Sequence, residues 1–302
     1  MAKIRDNSRQ GFITLFDSIA RHKHRYTVFT DFVTLSAIAL HNAVVKSEKL
    51  ENEYLEIIAK YSKEEAMKFS ELLGIFIILL NVEPVDILGT LYMELELGNL
   101  KNGQFFTPHE ISLLMAKVVY GDVLNNLKHS NKPFITLSEP TCGAGGMVLA
   151  FANEMRRNKI NPAEKLFVQC IDIDRLAGLM CYIQLSLWYI PAEIIIGDTL
   201  SLEFREVYYT PAYYLGNWQT RLRLRNFLEI CEAPTEAKIS EPKQDHDSET
   251  LPHPSVQTTN TDEAVSMTVQ EPIQTATHNK KPKSNGSTSG IQVDLFDFTI
   301  DH

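Results

Sequence analysis

The chain has little that is long and apolar. Among its 302 residues no unbroken apolar run is longer than Ile75–Leu80, far short of the roughly 20 residues that cross a bilayer as a helix. The N-terminus carries no apolar stretch flanked for export, so a cytoplasmic protein with no membrane partner is expected. Cysteine is scarce. Positions 142, 170, 181 and 231 form no CxxC pair and have no histidine at zinc spacing. They read as reduced structural thiols, with no metal site and no disulfide framework. Nothing adjacent to Cys142 would lower its pKa, so it is assigned no reactivity. Aromatic residues are absent between Phe227 and Phe296. A stretch of Glu, Thr, Ser, Pro, Gln and Lys without them cannot bury enough surface to offset its ordering entropy. Residues 231–290 are therefore expected to form a disordered linker.

Excess positive charge is lacking too. The net charge is −9, but from Cys231 onward twelve acids face five bases, so the rest of the chain carries only −2. Against that near-neutral body two basic clusters stand out. One is Lys3, Arg5, Arg9, Arg21, Lys23 and Arg25 with His22 and His24; the other is Arg221, Arg223 and Arg225. Either could contact phosphates or simply form a solvated face.

What the chain does have is concentrated in residues 138–147, SEPTCGAGGM. The apolar run Phe134–Leu137 before them reads as a buried strand, and Val148–Ala152 after them as the start of a helix. A glycine-dense turn between strand and helix lets backbone approach a ligand closely and presents free N–H groups to it. Lys165–Asp172 reads as a second strand ending in an acid, at the spacing that suits ribose hydroxyls. A helical pattern from Leu176 to Trp188 follows, and Ala192–Asp198 is a third strand, again ending in an acid. Upstream, Thr107 and Glu110 have capping-box spacing with Pro108 at the first helical position. Residues 31–100 show apolar positions at helical spacing, and residues 1–30 read as a basic, partly ordered lead-in. The fold class is thus α/β. A helical region over 1–100 precedes a Rossmann-like domain over 101–230.

The motifs GQFFTP, EPTCGAGG, IDID and GDTL, in this order across roughly residues 85–200, resemble the adenine-N6 DNA methyltransferases. The likeness is to the modification subunit of type I restriction systems and its plasmid- and phage-borne relatives. It implies an S-adenosylmethionine pocket. Phe105, Phe106 and Pro108, with Thr107 between them, would wall the methionine end. Glu139 and the turn from Thr141 through Gly143 to Gly145 would hold the amino-acid part. Asp172 would take the ribose hydroxyls and Asp198 the adenine amino group. DNA and a specificity or complementing subunit are the implied partners.

The family's Asn-Pro-Pro-aromatic catalytic motif does not occur in this chain. The nearest stretch is Tyr209–Tyr214, with Thr210, Pro211 and Tyr213 in the corresponding places, and threonine has no amide oxygen to offer a target amine. About thirty residues after Asp198 have globular composition, room for one or two further elements, so the sheet is expected to be truncated. Three functions stay open: a methyltransferase completed by a partner, a degenerate regulatory or anti-restriction relative, and an interaction scaffold. At 291–302, Gln292-Val293-Asp294-Leu295-Phe296 resembles the peptide that docks on the bacterial sliding clamp. That resemblance implies Gln292 at the rim of a groove, with Leu295 and Phe296 in an apolar pocket.

Overall fold

A computed structural model describes residues 2–82, 85–97, 106–129 and 133–232. Helices α1 (Ala2–Phe16), α2 (Arg25–Asn42), α3 (Glu48–Ile58), α4 (Lys63–Val82), α5 (Ile87–Glu94) and α6 (His109–His129) come first. Then follow β1 (Ile135–Glu139), α7 (Gly146–Arg157), α8 (Pro162–Lys165), β2 (Leu166–Asp172) and α9 (Arg175–Leu187). The described part closes with β3 (Ala192–Asp198), β4 (Glu203–Tyr209), α10 (Pro211–Leu215) and α11 (Trp218–Glu232). The class is α/β, as the sequence reads. Residues 233–302, which hold nearly all of the expected linker and Gln292, Leu295 and Phe296, lie outside the described residues.

The sheet has the order β1-β2-β3-β4. The first three strands are parallel and β4 runs antiparallel to β3. Both faces of β2 and β3 are covered, which is why LFVQCID and AEIIIGD are nearly continuous apolar runs rather than alternating ones. β4 is an edge strand, mostly exposed, with charges in its first half. Parallel β1, β2 and β3 send their C-terminal ends, Glu139, Asp172 and Asp198, to the same side of the sheet.

Residues 1–30 are more than a basic lead-in. They contain α1, whose Phe12 and Phe16 are fully or almost fully buried against Phe29 and Phe32 of α2. The apolar positions of FITLF are too few to show a helical period by themselves, and tertiary packing supplies the rest. After Asp198 the chain forms three elements rather than one or two. Side-chain caps set several helix starts: Ser47 accepts from the Leu50 N–H, Asp86 from Gly89 and Asp174 from Leu176.

Polar bonds, buried and half-buried, run across the expected boundary at residue 101. The Gln184 Oε1 of α9 accepts from the N–H groups of Ile87 and Leu88 at 2.9 and 3.1 Å. Its Nε2 donates to Asp86 at 3.0 Å and to the Ala144 carbonyl at 2.7 Å. Arg175 joins Glu53 of α3 to Glu206 of β4, both at 2.9 Å. The Trp188 indole N–H reaches the Leu80 carbonyl at 3.1 Å. α5 and α9 together thus hold the loop after β1 from behind.

Candidate functional site

The loop between β1 and α7 is built from backbone bonds. The Cys142 N–H donates to the Ile171 carbonyl at 2.9 Å, which extends β1 along β2, and the Gly145 N–H donates back to the Cys142 carbonyl at 2.8 Å. Gly143 (φ +53) and Gly145 (φ +89) occupy the left-handed region, which L side chains rarely adopt. Space is tight at Gly143 and too small for a side chain at Gly145. A Cβ on Gly143 would lie 3.3 Å from the Phe106 ring, and one on Gly145 would lie 2.9 Å from the Cys181 sulfur. α7 starts directly at Gly146 with no side-chain cap, so its first N–H groups and its dipole face the loop.

Three carboxylates surround this turn. Asp172 accepts from the Gly143 N–H at 2.7 Å through one oxygen and from the Asp174 N–H at 2.9 Å through the other. It therefore fixes the turn while each oxygen keeps lone pairs for a ligand. Burial pushes its carboxyl above the usual range, against the lowering effect of those two N–H groups. Glu139 is also raised, first by burial and then by proximity to Cys170, with the Thr141 N–H opposing. Asp198 uses one oxygen for the Leu200 and Ser201 N–H groups at 2.8 and 3.4 Å. Its neighbour Thr199 donates to the Pro140 carbonyl at 2.6 Å, tying the end of β3 to the end of β1. Carboxylates raised by burial are improved by any donor or cation brought to them. The set suits a ligand with a diol, an exocyclic amine and an ammonium group.

Phe106 reaches the turn as expected, resting on Gly143 and packing edge-on against Tyr92 with ring centroids 5.4 Å apart. Pro108 lies to one side. It lines a cavity of about 270 Å³ with Arg9, Ile87, Leu91 and Glu110. Its carbonyl accepts from Ser112 at 3.1 Å, so α6 opens at His109. The expected cap at Thr107 and first helical position at Pro108 are therefore shifted by one residue, and Thr107 is exposed. Phe105 lies outside the described residues.

Thr210, Pro211 and Tyr213 are not brought to this site. β4 runs back along β3, so Tyr209 pairs with Glu193 while Glu203 pairs with Asp198. The three residues stand at the start of β3, a strand length of about 20 Å from Asp198. There Thr210 is fully buried. Its hydroxyl donates to the Ile190 carbonyl at 2.8 Å and accepts from the Ala192 N–H at 3.0 Å. The Tyr213 ring stacks on Tyr209 with centroids 4.4 Å apart. These are structural attachments of a strand end.

Much of both basic clusters is spent within the protein. Arg25 pairs with Asp17 at 2.7 Å, Arg21 bonds the Asp17 carbonyl, and Lys23 sits 3.5 Å over the Tyr61 ring. The Arg221 guanidinium lies 3.7 Å over Trp218, and that of Arg225 lies 5.6 Å over Phe134. Sequence reasoning missed Gln184 and Asp86. Their partners are nearly a hundred positions apart, and no local pattern marks them.

The model of the N-6 DNA methylase family matches residues 85–212. No curated protein sequence matches the chain significantly. Among solved structures, the chain is similar to one described as a class I S-adenosylmethionine-dependent methyltransferase from Listeria monocytogenes, at 14% identity and a TM-score of 0.34. That alignment covers 65% of this chain and 55% of the other, so the chain spans little more than half of its length. Over residues 85–212, from the start of α5 into α10, the chain matches the N-6 DNA methylases, and the cofactor this match implies is S-adenosylmethionine.

Proposed function

We propose that this chain is a cofactor-binding component of an adenine-N6 DNA methyltransferase of the type I modification kind, and that the groups acting on the target base come from elsewhere. The observation that carries the reading is the Asp172 carboxylate bonded to the Gly143 N–H at 2.7 Å, with Phe106 against the same glycine. A strand-end acid thereby fixes both the turn and the position of a diol. When bound, S-adenosylmethionine supplies a methyl group on a cationic sulfur. Glu139 and the N–H groups from Thr141 to Gly145 would hold its amino-acid end. Asp172 would take the ribose hydroxyls, Asp198 the adenine amine, and Phe106, with Phe105 and Pro108, the methionine side.

Among the described residues, the amide held against this turn, that of Gln184, has its oxygen taken by the Ile87 and Leu88 N–H groups, and the sequence contains no Asn-Pro-Pro-aromatic tetrapeptide. DNA methylation then requires a complementing or specificity subunit. Tritiated methyl transfer to unmethylated DNA by the purified chain is expected to be absent or very slow. Robust turnover by the chain alone, abolished by Asp198→Ala, would overturn this. Calorimetric titration tests the cofactor claim directly. Wild type should bind, and Asp172→Ala should bind more weakly by about 2–3 kcal/mol, the loss of two charge-assisted hydrogen bonds. No heat from either protein would sink the reading.

The same chemistry without methyl transfer would make the chain a regulatory or anti-restriction module. Cofactor binding that no partner subunit converts into methylation separates that reading from the first. The segment Gln292–Phe296 supplies a further element, a peptide for a bacterial sliding clamp, which would keep the chain near newly replicated DNA. Micromolar binding of the peptide, removed by Leu295→Ala with Phe296→Ala, is expected in fluorescence anisotropy. Indistinguishable anisotropy for the two peptides would end it.

A further inference from the structure

Behind the glycine turn, side chains from three elements meet. Cys142 comes from the turn, Cys170 from β2 and Cys181 from α9, and their sulfur atoms all lie within 4.8 Å of one another. Cys170 and Cys181 are fully buried and Cys142 is 6% exposed. None is in a disulfide. The fold explains the meeting. The Cys142 N–H bonds the Ile171 carbonyl, which lays the turn over the end of β2, and Cys181 faces Gly145 from α9. The chain has only four cysteines, and three of them converge on one point. A buried free cysteine packs like any small hydrophobe, but here three sulfurs from separate elements also meet at one point. Thiols that meet in this way have the chemistry of a soft-metal ligand set.

We infer that Cys142, Cys170 and Cys181 bind a soft divalent d10 cation, zinc or its congener cadmium, as three thiolates behind the cofactor turn. Zinc–sulfur bonds of about 2.3 Å put the sulfurs of one centre about 4 Å apart, so small side-chain rotations close the site. Three S–H bonds break, three metal–sulfur bonds form and three protons leave to solvent. Cys142 is the least buried of the three and so the side nearest solvent. The ion would join the turn, β2 and α9, the pieces that carry Gly143, Asp172 and Gln184. The sequence alone, read as structural thiols, gives no hint of such a site because spacing along the chain hides proximity across a strand, a turn and a helix.

The test uses the full chain, reduced, stripped of metal and titrated with cadmium alone. Neither cofactor nor DNA is present, so the result is independent of the methyltransferase reading. A saturable ultraviolet thiolate-to-metal band at one ion per chain is expected, with three protons released per ion and a rise in melting temperature. Cys170→Ser and Cys181→Ser should each weaken binding at least about tenfold, while Cys231→Ser leaves it unchanged. Should the serine variants fail to fold, X-ray absorption at the cadmium edge of the wild-type complex decides the point, with three sulfur ligands expected. No saturable band, a band lost with Cys231→Ser, unchanged affinity in a folded Cys170→Ser protein, or fewer than three sulfur ligands would each overturn the site.

Discussion

The two ends of the sheet are finished differently. At the start of β3, Thr210 satisfies two backbone groups with one hydroxyl, Trp218 is fully buried against Phe134 and Phe167, and Arg221 covers it. The Thr210 hydroxyl is fully used there, while the Trp218 indole N–H is buried without a hydrogen-bond partner among the described residues. At the other end, Asp172, Asp198 and Glu139 keep carboxylate lone pairs, two of them in surroundings that penalise their charge. One end closes the fold and the other keeps acceptor capacity to spare. Stability and binding should therefore respond to different substitutions.

The largest effect is expected at the closed end. Trp218→Ala should cost about 3–5 kcal/mol of stability by cavity formation, read as a lower denaturant midpoint. The cofactor affinity of the remaining folded protein should change little, and a parallel loss of affinity would break the comparison. Next comes Thr210→Val, which keeps the shape but strands the Ala192 N–H and the Ile190 carbonyl. About 2 kcal/mol of stability should be lost, again with no change in binding, measured in the same unfolding and titration experiments.

At the open end the order reverses. Asp172→Asn can still accept from the Gly143 N–H through its amide oxygen, but its NH2 then faces the Asp174 N–H and its charge is lost. Cofactor binding should weaken by about 1.5 kcal/mol, less than for Asp172→Ala, with only a modest fall in melting temperature. A large fall in melting temperature would mean that Asp172 serves the turn alone. The smallest effect is on pH dependence. Glu139 is raised above the ordinary carboxyl value of 4.5, so the folded protein takes up a proton before the unfolded chain does. Its contribution to stability is full below that ordinary value and is lost as pH rises through the folded value. Glu139→Gln should therefore flatten this part of the profile and leave the cofactor-free protein slightly more stable at neutral pH. A melting-temperature profile that does not change on substitution would remove Glu139 from the penalised set.

Legibility in the sequence followed the same division. β3 was readable to the residue because Ile194, Ile195 and Ile196 form a run that only a covered strand explains. The turn was readable because the glycines sit between two apolar runs. β4 was not, since Glu203, Arg205 and Glu206 leave no apolar run to mark a strand and only antiparallel pairing on an edge makes EFREVYY one. The stretch around Thr210 invited a functional reading by resemblance, and the direction of β4, which no local pattern specifies, carries it to the opposite end of the sheet. Contacts such as Gln184 with Asp86 depend on how helices meet, and pairs that distant leave no periodic trace.

Gln184 has a consequence of its own. Its carboxamide donates twice and accepts twice, to the start of α5 and to the loop after β1. A half-turn of the amide plane would set donor against donor and acceptor against carbonyl at every contact, so the group has a single allowed orientation. Its two amide protons are therefore inequivalent and shielded from solvent, with slow exchange expected in nuclear magnetic resonance. That one side chain is a built-in reporter. Any event that shifts α5 against α9, at either end of the sheet, must first disturb a resonance pair lying at the junction of both.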